Sequence, residues 1–175
     1  MNAQGVFYEY VTYGSGKKWI QQLQPRSFKH VELSSDNVYY AVATDGTVWS
    51  RILPGSWYQL PGGLKQISAG TSKHVWGVNN NNEIYKLTGN SWTKFPGKLS
   101  QISVNRVGNV WGINSSNEIY FRNNSDPKKP WERITTGLGR SIAAGPWASP
   151  HIPANVWLVG RGDTSIYSMW PLSNN

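Results

Sequence analysis

No cysteine occurs in the 175 residues, so disulfides, thiolate metal sites and thiol nucleophiles are all excluded. Nothing in the chain calls for an oxidising compartment. Long apolar runs are missing as well; none approaches the roughly 20 residues needed to cross a bilayer as a helix. Met1 to Tyr13 has neither a basic segment nor an apolar one of the kind that opens a secretory leader. The expectation is a cytoplasmic protein, or one released without a classical signal peptide. Histidine is scarce. His30, His74 and His151 stand in unrelated contexts with no His-x-x-x-His spacing, so no metal site is expected. Acidic residues number nine, and no carboxylate pair stands out for general acid–base work. The chain reads as a non-enzyme that needs no cofactor.

What is abundant is aromatic and basic. There are 10 Trp and 9 Tyr against 4 Phe, and 17 Lys plus Arg against 9 Asp plus Glu, a formal charge of +8. Such an excess attracts anionic partners such as lipid head groups, or simply keeps the protein soluble. The cations are scattered, with only Lys17–Lys18 and Lys128–Lys129 adjacent. No basic stripe results, and no specific nucleic-acid partner is expected.

The strongest signal is a repeat. Trp57-Tyr-Gln-Leu-Pro-Gly-Gly-Leu-Lys-Gln-Ile-Ser68 returns as Trp92-Thr-Lys-Phe-Pro-Gly-Lys-Leu-Ser-Gln-Ile-Ser103. Val75-Trp-Gly-Val-Asn-Asn-Asn-Asn-Glu-Ile-Tyr85 returns as Val110-Trp-Gly-Ile-Asn-Ser-Ser-Asn-Glu-Ile-Tyr120. Every anchor moves by 35 residues without a gap. Weaker copies flank this pair. One runs through Tyr40 and Trp49; the other runs through Trp131, Trp157 and Tyr167, with a Pro-rich insert at 146–153. The chain is therefore one domain, 1–175, with repeats at about 19–56, 57–91, 92–130 and 131–170.

Each repeat reads as four short strands rich in Val, Ile, Tyr and Trp, punctuated by Gly, Asn, Ser and Pro. In the second copy strand a is 64–69, b is 74–79, c is 83–87 and d is 91–95. Four-stranded units of this period are propeller blades. The expected fold is all-β, a small β-propeller of about four four-stranded blades. Small residues suit strand a, nearest the axis (Ser68, Ala69, Ser103, Ala143, Ala144); Glu32 breaks that pattern and is expected to point into a central channel. The fourth copy ends after strand c, near 166–170. A strand-d-like segment, Trp19-Ile-Gln-Gln-Leu23, precedes the first strand a, and the last blade is expected to be closed by this N-terminal strand. Residues 6–13 look like one further strand.

The Trp-x-x-Leu/Phe-Pro-Gly lead-in with Val-Trp-Gly-Val/Ile-Asn…Ile-Tyr resembles the tectonin repeat of tectonin, fish-egg and horseshoe-crab lectins. The resemblance spans about 19–170 and is strongest over 57–122. It implies a β-propeller lectin of innate defence that recognises microbial or other surface glycans, including methylated sugars or lipopolysaccharide. Most members have more repeats, commonly six, and several secreted ones carry disulfides. The lack of cysteine here fits the members that are cytoplasmic.

Sugar binding asks for aromatic faces to stack on C–H patches and for polar groups to meet hydroxyls. The candidates are Trp57, Trp92 and Trp131 on the strand-d edge, and Trp76 and Trp111 on strand b. Asn79, Asn81, Asn114 and Asn117 follow at the b–c turns, and Arg106 lies on the opposite rim. A tryptophan at one place in every blade, as Trp76, Trp111 and Trp157 are, is more often blade-packing core than ligand platform, and the asparagines equally suit turn formation. Glu83 and Glu118 share one repeat position and read as turn or strand-edge residues. Equivalent shallow sites between blades would act together on glycans or glycolipids of a dense surface. Binding of anionic lipid or nucleic-acid surfaces, a protein-interaction role and a homo-oligomer are the alternatives carried forward.

Overall fold

The computed structural model describes residues 2–13, 16–124, 128, 130–134, 137–145, 156–161 and 165–169. Every regular element among them is a strand. The first blade comprises β3 (Phe28–Leu33), β4 (Val38–Ala43), β5 (Thr47–Ile52) and β6 (Tyr58–Gly63). The second comprises β7 (Gln66–Ala69), β8 (Val75–Val78), β9 (Glu83–Thr88) and β10 (Ser91–Lys98). The third comprises β11 (Gln101–Val104), β12 (Val110–Ile113), β13 (Ile119–Arg122) and β14 (Glu132–Ile134). In the last, β15 (Gly139–Ala144), β16 (Val156–Gly160) and β17 (Ile166–Met169) pair in that order. All neighbours are antiparallel, and the four sheets succeed one another as the blades of a small β-propeller.

The repeated sequence explains the repeated geometry. At the b–c turns Asn82 and Asn117 take φ of 63° and 66°, a left-handed conformation that asparagine tolerates better than most residues. Gly77 and Gly112 follow the strand-b tryptophans. A side chain at either would overlap Leu64 or Leu99 at the entry to strand a of the same blade, so the missing Cβ lets that leucine seat.

Adjacent blades interlock in two ways. Near the axis, strand a of one blade reaches the backbone of strand a in the next. Gln66 bonds both the carbonyl (3.2 Å) and the N–H (3.0 Å) of Ile102, and Gln101 accepts from the N–H of Ile142 at 2.8 Å. The Ser68 and Ser103 hydroxyls accept from the N–H groups of Val104 and Ala144. This gives the small polar residues at those positions a definite role. Glu32, at the serine position of the first blade, is half-buried with its carboxylate 3.4 Å from His30 Nε2. Further out, the core lies between blades. Tyr40, Val42 and Val48 pack with Leu64, Ile67 and Val75 of the next blade, and Trp76, Val78 and Ile84 pack with Leu99, Ile102 and Val110.

The expected closing strand differs. β2 (Gly16–Gln21) pairs with β1 (Tyr8–Tyr13) in a separate two-stranded sheet, with Tyr10 opposite Trp19, and is not joined to β17. Its place in the repeat is nevertheless that of strand d. The Leu23 carbonyl accepts the Trp57 indole N–H at 3.1 Å, as the Pro61 carbonyl accepts that of Trp92 at 2.9 Å. Trp19 precedes Leu23 by the same four residues that separate Trp57 from Pro61. Closing a hairpin across residues 14 and 15 has a far smaller entropic cost than pairing the two ends of the chain, and β1 supplies an aromatic partner for Trp19 at 5.0 Å between ring centroids. The Pro-rich insert, with His151, lies outside the described residues, as do Lys129 and Trp170.

Candidate functional site

Repetition extends to the turn chemistry. Asn79 Oδ1 accepts from the N–H groups of Asn81 and Glu83, and its Nδ2 donates to Glu83 Oε2 at 2.7 Å. The Tyr85 hydroxyl donates to the same carboxylate at 3.1 Å, and Lys94 Nζ to its other oxygen at 2.5 Å. Asn114, Ser116, Glu118 and Tyr120 repeat this arrangement, with Arg133 replacing Lys94. Lys94 first, then Asn79 and Tyr85, hold the Glu83 carboxyl down at about 2. Asn114 and Tyr120 lower Glu118 in the same way. Each glutamate serves as the hub that fastens strand c to its turn and to strand d. That matches the turn or strand-edge reading of the sequence.

This changes the standing of several candidates. Asn79 and Asn114 use their side chains within the turn, so their amides are not free hydroxyl binders. Asn117 is the left-handed turn residue. Asn81 is exposed, with its N–H bound to Asn79. Trp76 and Trp111 are each 2% exposed and wedged between blades, so neither presents a face for stacking. They are core, because a strand-b side chain at that register points at the following blade. Arg106 is exposed and precedes strand b, at the opposite end of that strand from Asn114.

Trp57, Trp92 and Trp131 are half-buried. The indole N–H of Trp92 and of Trp131 donates to a backbone carbonyl of the preceding strand d, and that of Trp57 donates to the Leu23 carbonyl just beyond β2. Beside Trp131 a cleft of about 270 Å³ opens between the second and third blades. Ile84, Gly97 and Lys98 form one wall; Leu99, Asn114, Tyr120 and Trp131 form the other. Gly97 takes φ of 96°, a conformation that favours glycine, and a Cβ there would rest in ordinary contact with the Trp131 ring at 3.5 Å. One blade earlier, Trp92, Tyr85, Asn79, Gly62 and Leu64 hold the same repeat positions, with Gly62 at φ 80° and a Cβ there 3.3 Å from Trp92. Trp57 instead borders a more open groove with Leu23, Pro25, Arg51 and Pro54.

The structure thus brings together Trp131 and Asn114, and Trp92 and Asn79 hold the equivalent repeat positions one blade earlier. Tyr120, Lys98 and Gly97 complete the cleft and were not singled out by sequence reasoning. The signal was present in the strand-c tyrosines Tyr85 and Tyr120 and in the Pro-Gly steps 61–62 and 96–97. Among the described residues no cluster of three or more His, Cys, Asp or Glu is placed to hold a metal ion.

Solved structures resemble the fold at low sequence identity. Virginiamycin B lyase from Staphylococcus aureus superposes with a TM-score of 0.60 at 14% identity, over 98% of this chain and 65% of that one. A BBS1N–ARL6DN complex gives a TM-score of 0.61 at 13% identity, over 98% and 60%. YCF48 from Cyanidioschyzon merolae gives 0.57 at 18% identity, over 90% and 58%. The chain spans less than two thirds of each, and the likeness is one of fold. No curated protein matches the chain. The tectonin domain family matches residues 27–173, covering all four blades, and the chain belongs to that family.

Proposed function

We propose that the protein is a lectin that binds surface glycans through clefts between its blades, without catalysis. The observation that carries this reading is the cleft beside Trp131. It is small and lined by Trp131, Tyr120, Leu99 and Ile84, with Lys98 and Asn114 as its polar residues. Pyranose rings offer matching C–H faces beside hydroxyls. Around Trp92 the positions of Gly97, Leu99, Asn114 and Tyr120 are held by Gly62, Leu64, Asn79 and Tyr85, with Gly63 in place of Lys98. Two or more weak sites on one rigid body give strong attachment to a dense glycan layer through effective concentration.

A glycan array followed by calorimetric titration of the best sugar tests the proposal. Trp131→Ala and Trp92→Ala are each expected to remove one site, and the pair to abolish binding while the folded baseline persists. No binding to any glycan, or unchanged stoichiometry in the double variant, would overturn it. The formal charge of +8 supports a second reading, attraction to anionic lipid surfaces. Affinity for anionic vesicles that collapses between 50 and 500 mM salt, with no response to neutral sugars, would favour that reading.

A further inference from the structure

Each blade turns an apolar triplet toward the blade that follows. Tyr40, Val42 and Val48 are at most 4% exposed, Trp76, Val78 and Ile84 at most 2%, and Trp111, Ile113 and Ile119 at most 2%. The last blade carries the same triplet. Trp157 and Val159 alternate along β16, and Val159 pairs with Ile166 as Val78 pairs with Ile84. There, however, Trp157 is 52% exposed and Ile166 67%. A face that is covered three times within the chain is open the fourth time.

The complementary face is half open at the other end. Phe28, Val31, Leu33 and Tyr39 occupy the positions with which Leu99, Ile102, Val104 and Val110 cover Trp76. The β1–β2 hairpin covers the outer part, with Phe7 edge-on to Tyr39 at 5.4 Å. It brings only the two outer strands of a blade. Leu33 stays 50% exposed, although its counterparts Ala69 and Val104 are each 6% exposed. A cavity of about 380 Å³ remains, lined mainly by aromatic and aliphatic residues that include Trp19, Val31, Leu33 and Tyr39, with Glu9, which accepts the Tyr39 hydroxyl, as its charged member. It lies where the strand-b aromatic of a preceding blade would sit.

We infer that these two faces bind each other between copies of the chain: the last blade of one copy docks on the first blade of a second, with Trp157 entering the cavity beside Val31 and Leu33. The occupant is set by the chain itself, because the faces are the two sides of one interface type that it builds three times internally. They are different surfaces, so the contact is head-to-tail. A buried aromatic anchor in an apolar pocket is the usual energetic centre of such a contact. Exposed contiguous apolar surface of this kind marks an interaction site.

Light scattering coupled to size exclusion, run across protein concentrations, is the test. The wild-type chain is expected above monomer mass, as a closed oligomer or a concentration-dependent series. Trp157→Lys and Leu33→Lys, both at exposed positions, are each expected to give monomers with unchanged thermal midpoints. Their mixture is expected to give a 1:1 heterodimer and nothing larger, since each variant keeps the face that the other has lost. Ile166→Lys replaces Trp157→Lys should the latter fold poorly. A wild-type monomer at every concentration would overturn the inference. So would association that survives Leu33→Lys, since that would mean like faces pairing.

Discussion

The indole N–H of Trp131 donates to the Pro96 carbonyl of the preceding blade at 3.0 Å, and Trp92 makes the same bond to Pro61 at 2.9 Å. The strand-d tryptophan thus fastens one blade to the next, and the Trp131 ring also lines a cleft. Phenylalanine keeps the ring and removes the donor. Trp131→Phe is expected to cost about 0.5–1 kcal/mol in urea unfolding, because the bond is solvent-accessible. Sugar affinity is expected to fall less than in Trp131→Ala.

Trp76 and Trp111 should behave in the opposite way. Both are buried between blades, so truncation leaves a void. Trp111→Ala is expected to destabilise the fold by about 3–5 kcal/mol in denaturant titration. The stoichiometry of sugar binding per folded molecule should stay unchanged at low temperature. Loss of binding without loss of stability would return Trp111 to the site.

The glycines divide into two classes. At Gly70 a Cβ would overlap the Asn105 carbonyl of the next blade, where backbone cannot swing aside. Gly70→Ala is therefore expected to cost about 3 kcal/mol. Gly89 has φ of 60° and open space around it, so Gly89→Ala meets only backbone strain, about 1 kcal/mol. Thermal midpoints of the two variants, measured side by side, check the ordering.

Acid should weaken the blades through their glutamate hubs. Glu83 is held at about 2, against an ordinary 4.5, first by Lys94 and then by Asn79 and Tyr85. A carboxyl depressed in the folded state stabilises it fully above its unfolded value, and that contribution disappears as pH falls from about 4.5 toward 2. Glu83→Gln is expected to be less stable than wild type at pH 7. The gap should narrow by pH 2.5, as followed by urea midpoints across that range.

How much was legible beforehand varies along the chain. In the second copy the strand ranges read from the ungapped 35-residue period end within three residues of β7 to β10, and the same period carries β11 to β13, whereas β14 lies beyond it. Alternation within Val-Trp-Gly-Val marks both faces as apolar, so it places Trp76 inside a propeller without saying whether a neighbour covers it. The same uncertainty hid the roles of Asn79 and Asn114. An asparagine beside a turn suits a sugar hydroxyl and a turn N–H equally well until the carboxylate that takes its amide is seen to be Glu83 or Glu118. β2 was recognised as a strand-d segment, but its partner was not. Register along a strand is a local property, whereas the choice of neighbour is settled by competition between a short hairpin and a distant edge.

By itself the sequence determined the strand alphabet, the blade period, the family and the lack of thiol chemistry. All of these depend on residue type and spacing along one chain. Tertiary structure alone decided which tryptophans are core and which line a cleft, where the glutamate hubs tie the turns, and that Trp157 stands uncovered while Trp76 and Trp111 do not. The reason is that burial belongs to pairs of surfaces. Repeats that are nearly identical in sequence differ in exposure wherever one of them lacks the neighbour the others have.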